Sequence, residues 1–130
     1  MSSTPIADHA LLSDCHSAAL VSREGSVEWL CFPRFDSPSV FGRLLDDEAG
    51  HWSIRPAADF RVTRRYLDKT MALETTFATA AGSVTVVDAL ALGANDRGHD
   101  LGRNAPSLLI RQVLGAVSYT HLTLPTIYSV

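Results

Sequence analysis

What this chain lacks narrows its class before any motif is considered. It has only two cysteines, Cys15 and Cys31, and no CxxC or Cys/His spacing suited to zinc. A disulfide-stapled secreted domain is disfavoured, and the pair reads as two small buried hydrophobes. No apolar run approaches the ~20 residues that span a bilayer. The polar start Met1 to Thr4 has neither the basic end nor the apolar stretch of a secretory signal. A large excess of one charge is missing too: the net charge of −3 gives no reason to expect nucleic acid or an anionic membrane as a partner. No segment keeps a 3.6-residue apolar period over a helical length, and no repeat is present. A folded cytoplasmic chain is the expectation. Its 130 residues, 46% hydrophobic and 19% charged, suffice for one domain with a core.

What is there is a succession of strands. Ala18 to Val21 leads into the turn Ser22-Arg23-Glu24-Gly25-Ser26, and Val27 to Phe32 returns with aromatic and β-branched residues. Gly25 supplies the positive φ that such a turn needs. Strict alternation puts Val27, Trp29 and Cys31 on one face and Glu28, Leu30 and Phe32 on the other, and with one charge among the six both faces must be largely covered. Pro33 ends the strand, and Arg34-Phe35-Asp36-Ser37-Pro38 forms a loop. Upstream, Met1 to Pro5 reads as a loose arm and Ile6 to Leu12 as an extended segment. Downstream, Phe41 to Asp47 reads as one helical turn with Ser39 as N-cap, and His51 to Arg55 as a short strand. Period-2 patterns predict strands at Phe60 to Tyr66, Met71 to Phe77 and Ser83 to Leu90. A polar loop, Gly93 to Pro106, precedes a last strand at Leu108 to Leu114. The expected fold is all-β: a partial antiparallel β-sandwich.

Candidate chemistry is sparse. Acid–base hydrolysis by carboxyls needs two of them facing one bond, whereas the acids here stand singly or cluster as Asp46, Asp47 and Glu48 at a solvated turn. Asp14 with His16 more simply fixes a turn, and Asp96, His99 and Asp100 sit in a polar loop where such residues are common. Ser37 lacks a neighbouring His and acid. No catalytic residue, metal site or cofactor is therefore assigned. Trp29, Arg34, Phe35 and Asp36 are better placed, offering an aromatic face for a pyranose and polar groups for its hydroxyls. Three readings stay open: sugar contact, contact with another domain, or a core role in which Trp29 and Phe35 are buried and an Arg34 to Asp36 pair braces the loop.

The motifs Asp14-Cys15-His16-Ser17-Ala18-Ala19-Leu20-Val21, Gly25-Ser26-Val27-Glu28-Trp29-Leu30-Cys31 and Pro33-Arg34-Phe35-Asp36-Ser37-Pro38 run in an order that resembles the N-terminal domain of bacterial glycoside hydrolase family 15 proteins, the glucoamylase and trehalase-like enzymes. Arg64-Arg65-Tyr66, Leu73-Glu74-Thr75-Thr76-Phe77 and Val86-Val87-Asp88-Ala89-Leu90 extend the likeness, with Ser13 standing where Gly is usual. The resemblance implies a β-sandwich over residues 1–116 whose partner is an (α/α)6 barrel further along the same chain. That barrel carries both catalytic glutamates, so none is transferred here. It also implies, for the intact protein, inverting hydrolysis of α-glucosides, with an α-glucan or trehalose at the barrel rim. A free-standing carbohydrate-binding module is the alternative. Residues 117–130 abandon the pattern: Val117 to Thr126 resembles the in-frame translation of a transposon adapter, and the segment is expected to be a non-native, β-prone tail.

Overall fold

A computed structural model describes residues 5–93, 101–116 and 126–127. The chain begins with one 3-10 turn, Ile6–Asp8, closed by Asp8 N donating to Pro5 O at 3.0 Å, and not with the extended segment expected from Ile6. Ten strands follow among the described residues: β1 Ala10–Ser13, β2 Ala18–Val21, β3 Ser26–Cys31, β4 Ser39–Phe41, β5 Trp52–Ser53, β6 Arg61–Tyr66, β7 Leu73–Thr79, β8 Gly82–Leu90, β9 Leu109–Ala116 and β10 Thr126–Ile127. Every pairing is antiparallel. The first sheet runs β1-β2-β3-β5-β10, with β4 also on β3, and the second runs β6-β7-β8-β9. Among the described residues no helix is long and apolar enough to cross a membrane.

Alternation explains which faces meet. Leu12, Ala19, Leu30 and Phe41 stand in register on the inner face of the first sheet and are buried with Leu73 and Leu90 of the second. Further along, Phe77, Val84, Val86 and Ile54 form a second buried cluster, with Phe60 meeting Phe77 edge-on at 5.0 Å. On the outer face of the second sheet Thr63, Thr76 and Thr85 align across three strands, the row ending on exposed Leu114 of β9, and Arg65 pairs with Glu74 at 2.8 Å. A sheet with one covered face and one wet face is the ordinary antiparallel solution.

Two expectations fail for identifiable reasons. Strict alternation in β3 breaks at Glu28, because Leu20 faces Trp29 while Val21 faces Val27, leaving Glu28 as the extra residue of a bulge. Val27 thus turns into the core beside Leu30, away from the face of Trp29. The Glu28 carboxylate, almost buried, is held by His9 Nε2 at 2.9 Å and Arg43 Nε at 3.6 Å. The helical turn expected at Phe41 to Asp47 is absent as well. Ser39–Phe41 is a strand, which buries Phe41 opposite Leu30, and a series of turns from Gly42 to Gly50 follows. So short a segment gains too few hydrogen bonds to repay helix nucleation when a sheet edge is available.

The two sheets are also joined by arginines on the edge strands β6 and β9. Arg64 donates to Val21 O and Asp8 O, each at 3.0 Å. At the other edge, Arg111 donates to Asp88, to Trp52 O at 2.6 Å and to Gly25 O at 2.7 Å, with its guanidinium over the Trp52 ring. Burial pushes the Asp88 carboxyl above its ordinary range, opposed by the adjacent Arg111 cation. The folded chain thus takes up this proton at a higher pH than the unfolded chain, so acidification adds stability through this group until the unfolded carboxyl also protonates. Against Asp88→Asn, which cannot titrate, the wild type should gain relative stability as the pH falls toward the ordinary carboxylate range of about 4. Paired urea melts across that range would show it, and a difference moving the other way would count against the raised pKa.

Candidate functional site

The candidate loop lies where β3 leaves the first sheet. Its backbone is fixed at both ends: Phe35 N donates to His16 O at 3.0 Å, Arg34 N to Ser37 Oγ at 3.1 Å, and Ser37 N to Arg34 O at 3.1 Å. The turn beneath it is built by Asp14, whose Oδ1 accepts from His16 N at 2.9 Å and Ser17 N at 2.8 Å. Ser17 Oγ in turn donates to Cys31 O at the end of β3. His16 Nε2 donates to Gly102 O at 2.6 Å, tying the same turn to residues 101–104. Asp14 and His16 therefore serve the turn, as their spacing suggested. Asp14 is fully buried, and its Oδ2 has no hydrogen-bond partner among the described residues. Asp96, His99 and Asp100 lie outside the described residues.

A rigid backbone here presents side chains to solvent. Phe35 is 63% exposed, which rules out the core role considered for it. Arg34 Nε lies 3.8 Å from Asp36 Oδ1, with the two side chains 77% and 87% exposed. An ion pair so wet and so long stabilises by about 0–1 kcal/mol, too little to brace a loop. Trp29 belongs to a different surface: it is half-buried in β3, in register with Leu20. The structure thus gathers Arg34, Phe35 and Asp36 in one exposed loop and sets Trp29 apart on the sheet. Arg34→Ala combined with Asp36→Ala should shift the unfolding free energy by less than about 1 kcal/mol, a claim that a urea melt checks directly.

The cysteines divide. Cys31 is buried and burial pushes its thiol pKa up, whereas Cys15 is exposed at φ 72°, against the expectation that both are buried. Both are free thiols. Sequence reasoning also passed over the Asp88 and Arg111 pair. The available signal was phase: Asp88 occupies the inward slot of the series Val84, Val86, Asp88, Leu90.

Fold and loop together define a two-sheet antiparallel β-domain that displays a short exposed loop fixed at both ends by hydrogen bonds. Over residues 1–115 the sequence matches the family described as trehalase-like, N-terminal, and the chain belongs to that family. It is 52% identical over 90 residues, 68% of this chain, to a trehalase of Mycolicibacterium smegmatis. It is 48% identical over 102 residues, 78% of this chain, to a trehalase of Mycobacterium tuberculosis. To trehalase 1 of Sulfolobus acidocaldarius it is 53% identical over 78 residues, 59% of this chain. These matches span only 14–15% of the length of those relatives. No solved structure matches this chain significantly.

Proposed function

We propose that this chain is the non-catalytic N-terminal β-domain of a family 15-type α-glucoside hydrolase, acting on trehalose or on α-glucans. In this reading it works from the cytoplasm by packing on a following catalytic barrel and shaping its entrance. The observation that carries this is the family match over residues 1–115, together with relatives of which the chain spans 14–15%. The loop supports it in physical terms. Arg34, Phe35 and Asp36 stand exposed on a backbone fixed at both ends, and such residues suit contact with a substrate or a neighbouring domain. Residues 117–130 are read as foreign to the native protein.

The chain alone should release no glucose from trehalose, maltooligosaccharides or an aryl α-glucoside. The full-length polypeptide, obtained by reading the gene past codon 116, should hydrolyse at least one of them. In that protein Arg34→Ala with Asp36→Ala should lower activity while leaving the melting temperature close to wild type. Turnover by the present chain that a point change within it removes would overturn the reading, as would a stop soon after codon 116.

A further inference from the structure

A cleft of about 290 Å³ opens where the first sheet meets the edge strand β6, and Arg23, Arg64 and Arg65 line it together with His9, Tyr66 and Leu73. No Asp or Glu stands among the described residues that line it. Two of its polar groups are already engaged: the His9 ring meets Pro5 O and Glu28, and the Tyr66 hydroxyl holds the Leu11 backbone. Arg65 has an acid of its own in Glu74. Arg64 instead donates both Nη groups to the carbonyls of Val21 and Asp8, dipoles that leave its charge uncancelled. Arg23 is exposed in the β2 to β3 turn, and Glu24 beside it is held by Arg55 at 3.2 Å. Burial pushes the Arg64 guanidinium below its ordinary pKa, and repulsion from Arg23 pushes it further, by more than Asp8 pulls it back. Two cations, one from each sheet, thus face the same cleft with no carboxylate lining it, an arrangement that a bound anion relieves.

We propose that this cleft, built by Arg23, Arg64 and Arg65, is a binding site for a phosphate group. Guanidinium forks match the oxygens of phosphate and carboxylate alike, so charge and size choose between the two. A phosphate group carries about −1.5 to −2 at neutral pH, which suits three arginines of which one has an acid partner better than a singly charged carboxylate does. The volume also leaves room beside the phosphate for the sugar of a phosphate monoester. The site shares no residue with the loop at Arg34 and stands apart from the functional reading above.

Calorimetric titration of this chain with inorganic phosphate, at an ionic strength fixed with chloride, tests it. Saturable binding at one site per chain is expected, weakened about tenfold or more by Arg23→Gln. Arg23 bonds to no described residue, so that variant should keep the wild-type urea melt. Arg61→Gln removes an exposed arginine of β6 outside the cleft and should bind as the wild type does. Should Arg23→Gln unfold, Arg23→Lys decides in its place: it keeps the charge, loses the fork and should bind several-fold more weakly. Titration with a hexose 6-phosphate separates the two sources of the group. Tighter binding than inorganic phosphate assigns the cleft to a phosphorylated sugar, and equal or weaker binding assigns it to the free ion. No saturation below ~10 mM phosphate overturns the proposal. Equal losses in Arg23→Gln and Arg61→Gln also overturn it, since they mark attraction to net charge alone. Acetate bound as tightly as phosphate overturns it in favour of a carboxylate.

Discussion

Replacing Arg111 by methionine is expected to lower the unfolding free energy by about 3–5 kcal/mol, the usual cost of removing one partner from a buried ion pair. Arg111 and Asp88 have fully buried side chains, with Nε to Oδ1 at 2.6 Å and Nη2 to Oδ2 at 3.3 Å. Methionine matches much of the apolar stem but strands three acceptors at once: the Asp88 carboxylate and the carbonyls of Trp52 and Gly25. Trp52 O belongs to the first sheet and Gly25 O to the turn that joins two of its strands, so the loss falls on the junction between layers as well as on one strand. Lysine should rescue little, because a single ammonium cannot reproduce a planar fork aimed at three separate oxygens. The diagnostic variant is Arg111→Met with Asp88→Asn. Removing the second charge takes away the uncompensated carboxylate, and the double variant should be more stable than Arg111→Met alone. Urea melts of the four proteins would settle the point. A single-variant loss below about 1 kcal/mol would mean that the buried fork contributes little.

The strands were legible wherever one face had to be covered and the other did not. In Leu73, Thr75, Phe77 and again in Val84, Val86, Asp88, the alternation by itself gives β7 and β8 and the direction in which their side chains point. The two-sided β3 was legible as a strand, but its faces were not. One inserted residue, Glu28, reverses every assignment before it, and a bulge leaves no trace in composition. β4 escaped because three residues carry too little pattern to outweigh the reading of Phe41 to Asp47 as a helical turn with Ser39 as its N-cap. Asp88 could be recognised as an acid in a core slot. Its partner could not be named among 11 basic residues without the register that sets Asp88 opposite Arg111.

The candidate loop shows the same division between local and tertiary signals. Its bounds, Pro33 and Pro38, and its polar content were local and readable. Whether Phe35 was core or exposed depended on where the turn at Asp14 placed His16 O, which holds the Phe35 amide. Trp29, grouped with the loop through closeness in sequence, lies instead on the sheet surface, because β2 sets Leu20 beside it. The exposure of Cys15 has a similar origin. The turn forces φ to 72° there, and the side chain is carried outward instead of into the core that its residue type prefers.

Gly25→Ala should cost roughly 2–5 kcal/mol, and the reason is not φ alone. The residue sits at φ 81°, where a Cβ costs about 1–2 kcal/mol, and an alanine Cβ would lie 2.3 Å from Ile54 O and 2.9 Å from Phe77 Cζ. The Ile54 contact is with backbone, in the segment that donates Ile54 N to Gly25 O at 3.0 Å, so relief requires the turn and that segment to separate. Overpacking of that kind costs about 1–3 kcal/mol. Separation also moves Gly25 O, which Arg111 holds at 2.7 Å. The two substitutions therefore act on one junction, and Gly25→Ala combined with Arg111→Met should fall short of the sum of the separate losses by about 0.5–3 kcal/mol. Full additivity in a double-mutant cycle would show that turn and fork are independent. Because the junction lies between the β2 to β3 turn and β9, the same cycle would show whether the last described strand of the second sheet and the hairpin of the first unfold as one unit.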